Sequence, residues 1–249
     1  MILVLGGTVE ARQTAAALRE ARRDYLISVA TGTGLAQMEA ESPERLRCGQ
    51  LSESSLKALI GSKAIDTVLD CTHPFAEVIS QTAISVCRNL GVRYRRLERA
   101  KGIFSPWPGL IRAEGVEAAA AELISCSGTI LLAIGVNELT RFTAVRSPNR
   151  RLLARVLPAA DSLAKCTEAG FAPGDIIAVH GVRSIEFNLA LIREYGISVL
   201  VTKESGESGG TGTKLEAARM AGITAVLIER PVIAYPDAVQ SVEELLAGI

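Results

Sequence analysis

The sequence predicts an α/β fold of two domains, each built on a mostly parallel sheet. Short apolar runs alternate with amphipathic stretches along the chain, which is typical of parallel strands whose connecting helices cover both faces of a sheet. Roughly nine or ten strands are many for one doubly wound sheet, and a proline- and glycine-rich stretch, RAKGIFSPWPGL, interrupts the alternation. We therefore expect an N-terminal domain over residues 1–100, a C-terminal domain over residues 101–249, a linker near residues 101–109 and a cleft between the domains.

The individual elements follow from the same alternation. In the first half the strand and helix pairs are MILVL with EARQTAAALREARR, YLISVA with GLAQMEAE, and IDTVLD with FAEVISQTAISVCRNLG. In the second half they are TILLAI with VNELTRF, RLLARVL with DSLAKCTEAG, DIIAVHG with SIEFNLALIREYG, SVLVT with KLEAARMAG, and a last strand TAVLIER. Strand, helix and strand in this order predict a mostly parallel sheet that is covered on both faces.

Composition excludes several classes of protein. Lysine plus arginine equals aspartate plus glutamate at 27 each, so no overall charge favours nucleic acid or a membrane surface. Five cysteines without a C-x-x-C pair and only two histidines predict no metal site and a reducing, cytoplasmic location. The first apolar run is short and follows no basic segment, so we expect neither a signal peptide nor a membrane span.

Polar and glycine-rich loops follow the predicted strands. They read GGT, TGTG and CTHPF in the first half, and GVN, HGVRS and KESGESGGTGT in the second. Ligands of open parallel sheets bind outside the carboxyl ends of the strands. Backbone N–H groups and hydroxyls at these points suit phosphates, carboxylates and sugar hydroxyls.

The first loop suits a diphosphate. Gly6 and Gly7 allow positive φ and close approach of a ligand, and the following helix points its N-terminus at the ligand. The loop departs from the dinucleotide pattern G-x-G-x-x-G, because Thr8 and Ala11 replace the second and third glycines. We expect the Thr8 hydroxyl to bond a phosphate; a plain strand–helix turn without a ligand is the alternative.

Three further residues at strand ends are candidates. His73 in CTHPF and His180 in HGVRS are each either catalytic or structural hydrogen-bonding groups. Lys203 follows the apolar run SVLVT and is placed to reach an anion. The loop KESGESGGTGTK fails the P-loop pattern, because Thr213 precedes Lys214 and Leu215 follows it; a solvated loop is the alternative there.

Together these segments resemble one enzyme family. The segments LGGTVEAR, DCTHPFA, RLLARVLP, NLALIREYGISVLVTKESGESGG and KLEAARMAGITAVLIERP are similar to those of precorrin-6A reductases of cobalamin biosynthesis, and more to the cobalt-precorrin-6A branch. The resemblance implies two Rossmann-like three-layer α/β domains, the first of which binds NADH or NADPH. It also implies reduction of a ring double bond of a tetrapyrrole by hydride transfer, giving precorrin-6B or its cobalt form.

The resemblance also implies roles for individual residues. The expected cofactor-binding residues are Gly6, Gly7, Thr8, Glu10, Thr31, Gly32, Thr72, His73 and Pro74. The expected catalytic residues are His73, Lys203 and Ser205. The expected substrate-binding residues are Arg183, Lys203, Glu204, Ser205, Gly209 and Gly210, with Arg12 a further candidate. Of these, the resemblance supplies Lys203, Ser205, Gly209 and Gly210. The basic residues are expected to meet the acidic arms of the substrate, and a solvated surface charge is the alternative for each.

Cofactor choice and partners complete the expectations. The second loop reads VATGTG where relatives of the cobalt branch often read VATEYG, and no arginine lies between Tyr25 and Pro43; we therefore expect NADH to be favoured over NADPH. The partners expected are a tetrapyrrole and, by hand-over, other corrin-pathway enzymes, with no nucleic acid, membrane or metal. A nucleotide-sugar glycosyltransferase and a two-lobed binding protein are the alternatives.

Overall fold

A computed structural model describes residues 1–182 and 184–249 and divides them into two compact units. The first unit comprises Met1–Ala100 and Val232–Ile249, and the second comprises Lys101–Pro231. The described residues of each unit form a six-stranded sheet in which the paired strands are parallel. The α/β class with mostly parallel sheets is therefore confirmed.

The sheet of the first unit has the order β12-β5-β4-β1-β2-β3. With numbering along the whole chain, its strands are β1 (Ile2–Leu5), β2 (Tyr25–Val29), β3 (Leu46–Cys48), β4 (Thr67–Asp70), β5 (Arg93–Leu97) and β12 (Ala238–Val239). Its helices are α1 (Val9–Glu20), α2 (Gly32–Ala36), α3 (Glu53–Ser62), α4 (Glu77–Leu90) and α10 (Val242–Leu246). One apolar cluster joins the sheet to α1 and α10, and another joins it to α3 and α4.

The sheet of the second unit has the order β6-β11-β10-β7-β8-β9. Its strands are β6 (Leu110–Ala113), β7 (Gly128–Ala133), β8 (Arg150–Val156), β9 (Ile176–Ala178), β10 (Ile197–Lys203) and β11 (Thr224–Ile228). Its helices are α5 (Val116–Glu122), α6 (Leu139–Phe142), α7 (Ala160–Glu168), α8 (Ile185–Glu194) and α9 (Thr211–Met220). Short 3₁₀ turns lie at Pro43–Arg45, Leu123–Ser125, Val136–Glu138, Thr143–Val145 and Pro173–Asp175.

The C-terminal segment differs from its predicted place. The sequence assigns residues 101–249 to one domain, but Val232–Ile249 belongs to the first unit. The segment adds β12 to the edge of that unit's sheet, where Ala238 and Val239 pair with β5. Leu245 of α10 is fully buried in the first unit's core, and the Arg95 guanidinium donates to carbonyl oxygens at the end of α10. Apolar burial and carbonyl capping explain why the chain returns.

Local differences from the predicted elements are small. The helix predicted over GLAQMEAE is limited to the short α2, and β3, β5, β6 and β12 had no predicted counterpart. The predicted linker near residues 101–109 starts where the second unit starts. Within residues 1–182 and 184–249, every helix is too short or too polar to cross a bilayer.

Candidate functional site

The first candidate site lies at the carboxyl edge of the first unit's sheet. Strand β1 lies between β2 and β4, and the chain leaves it toward β2 and later crosses to β4. Such a reversal of strand order opens a crevice at the strands' carboxyl ends. The predicted cofactor loops, which include residues 6–8, 31–32 and 72–74, follow β1, β2 and β4. The fold therefore brings the predicted cofactor loops onto adjacent strands.

Two glycines shape the turn after β1. A Cβ on Gly6 would lie 3.0 Å from Cβ of Ala11 and 3.2 Å from Cγ2 of Ile27, so the turn packs closely against α1 and β2. Gly7 has φ of +98°, in the region that favours glycine. The first N–H groups of α1 have no partner within the helix. A tight turn with exposed backbone before a helix N-terminus fits the diphosphate of a dinucleotide.

The Thr8 hydroxyl has a structural role that differs from the expected phosphate contact. It donates a hydrogen bond to the Cys71 carbonyl oxygen at 2.7 Å and accepts one from the Ala11 N–H at 3.1 Å. Because a hydroxyl has a single proton, Thr8 has none to give a phosphate. The side chain instead caps α1 and joins the loop after β1 to the loop after β4. We therefore expect Thr8 to donate to a cofactor phosphate through its backbone N–H and not through its hydroxyl.

The loop after β2 lies against the first loop. Thr31 caps α2 by accepting a hydrogen bond from the Gly34 N–H at 3.1 Å. A Cβ on Gly34 would lie 3.5 Å from Cα of Gly7, so these two glycines bring the loops together. Gly32 has open space around its Cα. Sequence reasoning missed Gly34, although the TGTG pattern contains it.

Glu10, a predicted cofactor-binding residue, forms an ion pair with Arg99. Its Oε2 lies 2.6 Å from Nη2 of Arg99, and both side chains are largely buried. Arg99 follows β5, a strand that the sequence analysis did not predict. The pair places a guanidinium beside the first turn of α1.

His73 is held in one tautomer. The backbone N–H of Phe75 donates to Nδ1 of His73 at 3.2 Å, so the proton of the neutral imidazole is on Nε2. The ring is half-buried, whereas the neighbouring Pro74 is buried. His73 is thus oriented by its own loop at the carboxyl edge of the sheet.

A buried ionic network fixes the loop that contains Thr72 and His73. The Asp70 carboxylate accepts hydrogen bonds from Nη1 of Arg96 at 2.9 Å, from the Ser80 and Tyr94 hydroxyls at 2.6 and 2.7 Å, and from the Thr72 hydroxyl and N–H. Burial alone would raise the pKa of Asp70, but Arg96 and these hydroxyls hold it below its ordinary value. Thr72 is therefore a member of the network and positions the loop.

The Arg96 guanidinium has unusual surroundings. It is fully buried, and its Nε donates to Glu98 at 2.9 Å. Its Nη2 has no hydrogen-bond partner among the described residues, and its guanidinium carbon lies 5.1 Å from the centre of the Tyr235 ring. Sequence reasoning missed Arg96 because nothing local in RYRRL marks it as buried.

The second candidate site is the loop after β10 in the second unit. Strand order reverses between β7 and β10, so this loop also lies at a crevice. Nζ of Lys203 lies 3.4 Å from Oε1 of Glu138, which follows β7. Burial lowers the pKa of Lys203, although Glu138 opposes the shift. The Ser205 N–H donates to Oγ1 of Thr211 at 3.0 Å, so Ser205 is fixed beside the start of α9.

The Glu204 carboxylate holds this loop in shape. It accepts hydrogen bonds from the N–H groups of Gly206 and Gly102 at 3.2 and 3.1 Å, and it forms a buried ion pair with Arg230. These contacts give Glu204 a structural role, and its predicted contact with the substrate stays a prediction.

Glycines give the same loop its course. Gly206 and Gly210 have φ of +73° and +63°, and a Cβ on Gly209 would clash with the Ser205 side chain. The predicted substrate residue Arg183 lies outside the described residues. The structure thus places Lys203, Ser205 and the glycines in one loop.

No metal centre accompanies either site. Within the described ranges, histidine, cysteine and acidic side chains form no group of three or more that suits a metal ion.

A doubly wound sheet with a glycine turn at its strand reversal defines a class of dinucleotide-binding proteins. A sequence profile for the family "Precorrin-6x reductase CbiJ/CobK" matches residues 1–249. The chain is 33% identical to the cobalt-precorrin-6A reductase of Priestia megaterium, over all of this chain and 98% of that protein. It is 35% identical to the cobalt-precorrin-6A reductase of Salmonella typhimurium, over 92% of this chain and 87% of that protein.

A solved structure agrees. The structure titled CobK precorrin-6A reductase superposes with a TM-score of 0.78 at 27% identity, over 99% of this chain and 94% of that one. The chain belongs to the precorrin-6x reductase family. It is accordingly a reductase of cobalamin biosynthesis that uses a nicotinamide cofactor. The resemblance drawn from the sequence is confirmed, and the glycosyltransferase alternative is not.

Proposed function

We propose that this protein reduces a ring double bond of cobalt-precorrin-6A with NAD(P)H, giving cobalt-precorrin-6B. The full-length similarity to proteins named cobalt-precorrin-6A reductase supports the cobalt-containing substrate. The observation that most supports a site for the cofactor is the Gly6–Gly7 turn, closely packed and with φ of +98° at Gly7, before α1.

In this proposal the first unit holds the cofactor mainly through its backbone. The N–H groups at the start of α1 donate to the diphosphate, and the helix dipole favours its charge. Thr8 keeps the first loop at a fixed distance from Cys71, and Gly34 keeps the second loop beside Gly7. Glu10 and Arg99 border the same turn as an ion pair.

The predicted catalytic residues belong to both units, and we propose a role for each within its own unit. A bound nicotinamide supplies the hydride. The Phe75 N–H donates to Nδ1 and so orients the His73 ring, which we propose lies against a ligand bound at the carboxyl edge of the first unit's sheet. Lys203 holds a proton on Nζ beside Glu138, and its lowered pKa makes it a better proton donor than an ordinary lysine. We assign Ser205 to the support of this lysine, since its hydroxyl lies 3.5 Å from the Lys203 carbonyl oxygen.

The choice between NADH and NADPH has opposing indications. The absence of arginine between Tyr25 and Pro43 favours NADH. However, Arg47 of β3 reaches the carboxyl end of β2, where its Nη1 donates to the Ser28 hydroxyl at 3.3 Å and to the Gly49 carbonyl at 2.6 Å. An arginine near the end of the second strand suits a 2′-phosphate. We propose that NADPH is accepted through Arg47, so Arg47→Gln should raise KM for NADPH and leave KM for NADH unchanged.

An anaerobic assay tests the function. Purified protein with cobalt-precorrin-6A should consume NADPH or NADH, seen as loss of nicotinamide absorbance, with formation of the dihydro product. His73→Ala should slow this reaction, and His180→Ala, at the other candidate histidine, is measured beside it to distinguish the two candidates. Absence of any nicotinamide oxidation by the wild-type protein would overturn the proposal. A cytoplasmic location and hand-over to other corrin-pathway enzymes stay predictions.

A further inference from the structure

We propose that Arg155 and Lys214 of the second unit form a binding site for a carboxylate of the tetrapyrrole substrate. The inference rests on the proposed function for the identity of the ligand. It adds two residues to the predicted substrate set, and both come from the packing of the fold.

Three elements bring the site together. Arg155 lies near the carboxyl end of β8, two residues after Leu153, which is buried in the cluster that includes residues of α8 and α9. Alternate residues of a strand share a face, so Arg155 is on the α8 and α9 face of the sheet. Lys214 lies in the first turn of α9 and is 6% exposed. The site therefore lies at the ligand-binding edge of this sheet.

The guanidinium is fixed by a buried amide. Nη1 of Arg155 donates to Oδ1 of Asn188 at 2.8 Å, and Nδ2 of Asn188 donates to the Ser184 carbonyl oxygen at 2.7 Å. Asn188 is 3% exposed. The second hydrogen bond fixes which end of the amide faces Arg155, so the arginine is oriented but its charge is not neutralised.

The two cations have no anion beside them. Among the described residues, no carboxylate forms an ion pair with Arg155 or Lys214. Burial, and then the nearby charge of Arg155, lower the pKa of Lys214 to about 7. Burial likewise lowers the pKa of Arg155 to about 10. A buried lysine beside a half-buried arginine, with no counter-ion among the described residues, is unfavourable for folding, and such groups cluster at functional sites.

A carboxylate of the substrate is the anion that fits. A guanidinium and an ammonium together offer charge-assisted hydrogen bonds to both oxygens of a carboxylate, and the substrate bears several acetate and propionate arms. The contrast with Lys203 supports this choice, because Lys203 already has Glu138 as a partner. The predicted cofactor loops belong to the first unit, which favours the substrate over a cofactor phosphate as the source of the anion.

Substitutions at both positions test the site. Lys214→Met and Arg155→Met should each raise KM for cobalt-precorrin-6A by about 10- to 100-fold, while KM for NAD(P)H is unchanged. Lys214→Arg, which keeps the charge, should retain most of the affinity. Lys165→Gln, at an exposed lysine of α7 that bonds Asn137, is the matched control and should behave as wild type.

Thermal unfolding gives an independent readout. Because an uncompensated buried cation destabilises the fold, Lys214→Met should leave the melting temperature unchanged or raise it, although binding is weakened. A lysine that served the fold alone would give the opposite result, a lower melting temperature with normal KM. Failure of both methionine variants to fold would also overturn the proposal.

Other outcomes separate the sources of the anion. A rise in KM for NADPH with unchanged KM for the tetrapyrrole would assign the cations to a cofactor phosphate and overturn the proposal. Binding of uroporphyrin, a tetrapyrrole with eight carboxylates, is measured alongside by fluorescence quenching. If the wild-type protein oxidises no NAD(P)H but binds uroporphyrin, and Lys214→Met weakens that binding, the proposed function is rejected and the carboxylate site is retained.

Discussion

Replacement of Asp70 by asparagine should destabilise the first unit strongly. The Asp70 and Arg96 side chains are both fully buried, and their ion pair is 2.9 Å long. Asparagine has nearly the same size, but it removes the negative charge and turns one acceptor oxygen into a donor facing the hydroxyls of Ser80 and Tyr94 or the guanidinium. Removal of one partner from a buried ion pair costs about 3–5 kcal/mol. Glu98 still contacts Arg96, so we expect a loss near the lower end, about 3 kcal/mol.

Urea unfolding followed by far-ultraviolet circular dichroism measures this loss. Tyr94→Phe removes one of the donors to the Asp70 carboxylate and leaves the ion pair, so its cost should be smaller, about 1.5–3 kcal/mol. Asp66→Asn is the matched control, because Asp66 precedes the same strand, is 69% exposed and pairs with the N-terminal amine and the Thr67 hydroxyl. Its cost should stay within about 0–1 kcal/mol.

The same carboxylate should give the protein a pH-dependent stability. The pKa of Asp70 is lowered in the folded state, so the unfolded chain, with a pKa near about 3.9, binds the proton more tightly. The stabilisation is therefore fully present above the unfolded-state pKa and is lost as pH falls through the folded-state pKa. Asp70→Asn should remove this part of the acid limb. A loss below about 1 kcal/mol, or a larger loss for Tyr94→Phe than for Asp70→Asn, would refute the reasoning.

Three further substitutions test other parts of the structure. Gly7→Ala should raise KM for the nicotinamide cofactor about tenfold, since φ of +98° imposes about 1–3 kcal/mol of strain; Gly61→Ala, in open space on α3, is its control in the same kinetic assay. Glu204→Gln breaks the buried pair with Arg230 and should lower stability to urea by about 3 kcal/mol, and a normal melting curve would contradict the role given to Glu204. Leu245→Ala should lower stability to urea by about 2–5 kcal/mol, and an unchanged curve would contradict the docking of the C-terminal segment on the first unit.

The central strands were predictable because they are apolar. MILVL and SVLVT form β1 and β10 near the middle of their sheets, where burial on both faces requires continuous apolar runs. Strand β5, in contrast, reads RYRRL and was missed. Its buried Arg95 and Arg96 are stabilised by Asp237 and Asp70, which lie far away in sequence. A local pattern cannot reveal a charge that is neutralised by a distant partner.

The residues of the candidate sites were likewise predictable where a local pattern marks them, and not where a distant partner determines their role. Gly6, Gly7 and the loop after β10 were predictable as site residues because glycine stands at the end of each strand. Backbone geometry at these points depends on the local residue type. The hydrogen bond from Thr8 to Cys71 joins loops that only the sheet order brings together. The sequence rejected Lys214 as a P-loop lysine and gave it no other role, and its burial near Arg155 follows from the packing of α8 and α9 on β8.

The turn at Gly7 and the proposed site at Arg155 and Lys214 bind their ligands by different chemistry, and this difference leads to a last prediction. The turn at Gly7 offers backbone N–H groups, whose fixed geometry suits a diphosphate, whereas Arg155 and Lys214 offer side-chain charge, which suits carboxylates. Gly7→Ala should therefore affect KM for the cofactor, and Lys214→Met should affect KM for the tetrapyrrole. Because the two substitutions act on different ligands in this proposal, their effects in the double variant should add. Strong non-additivity in steady-state kinetics would show that one ligand contacts both positions, and the assignment of separate ligands would then be wrong.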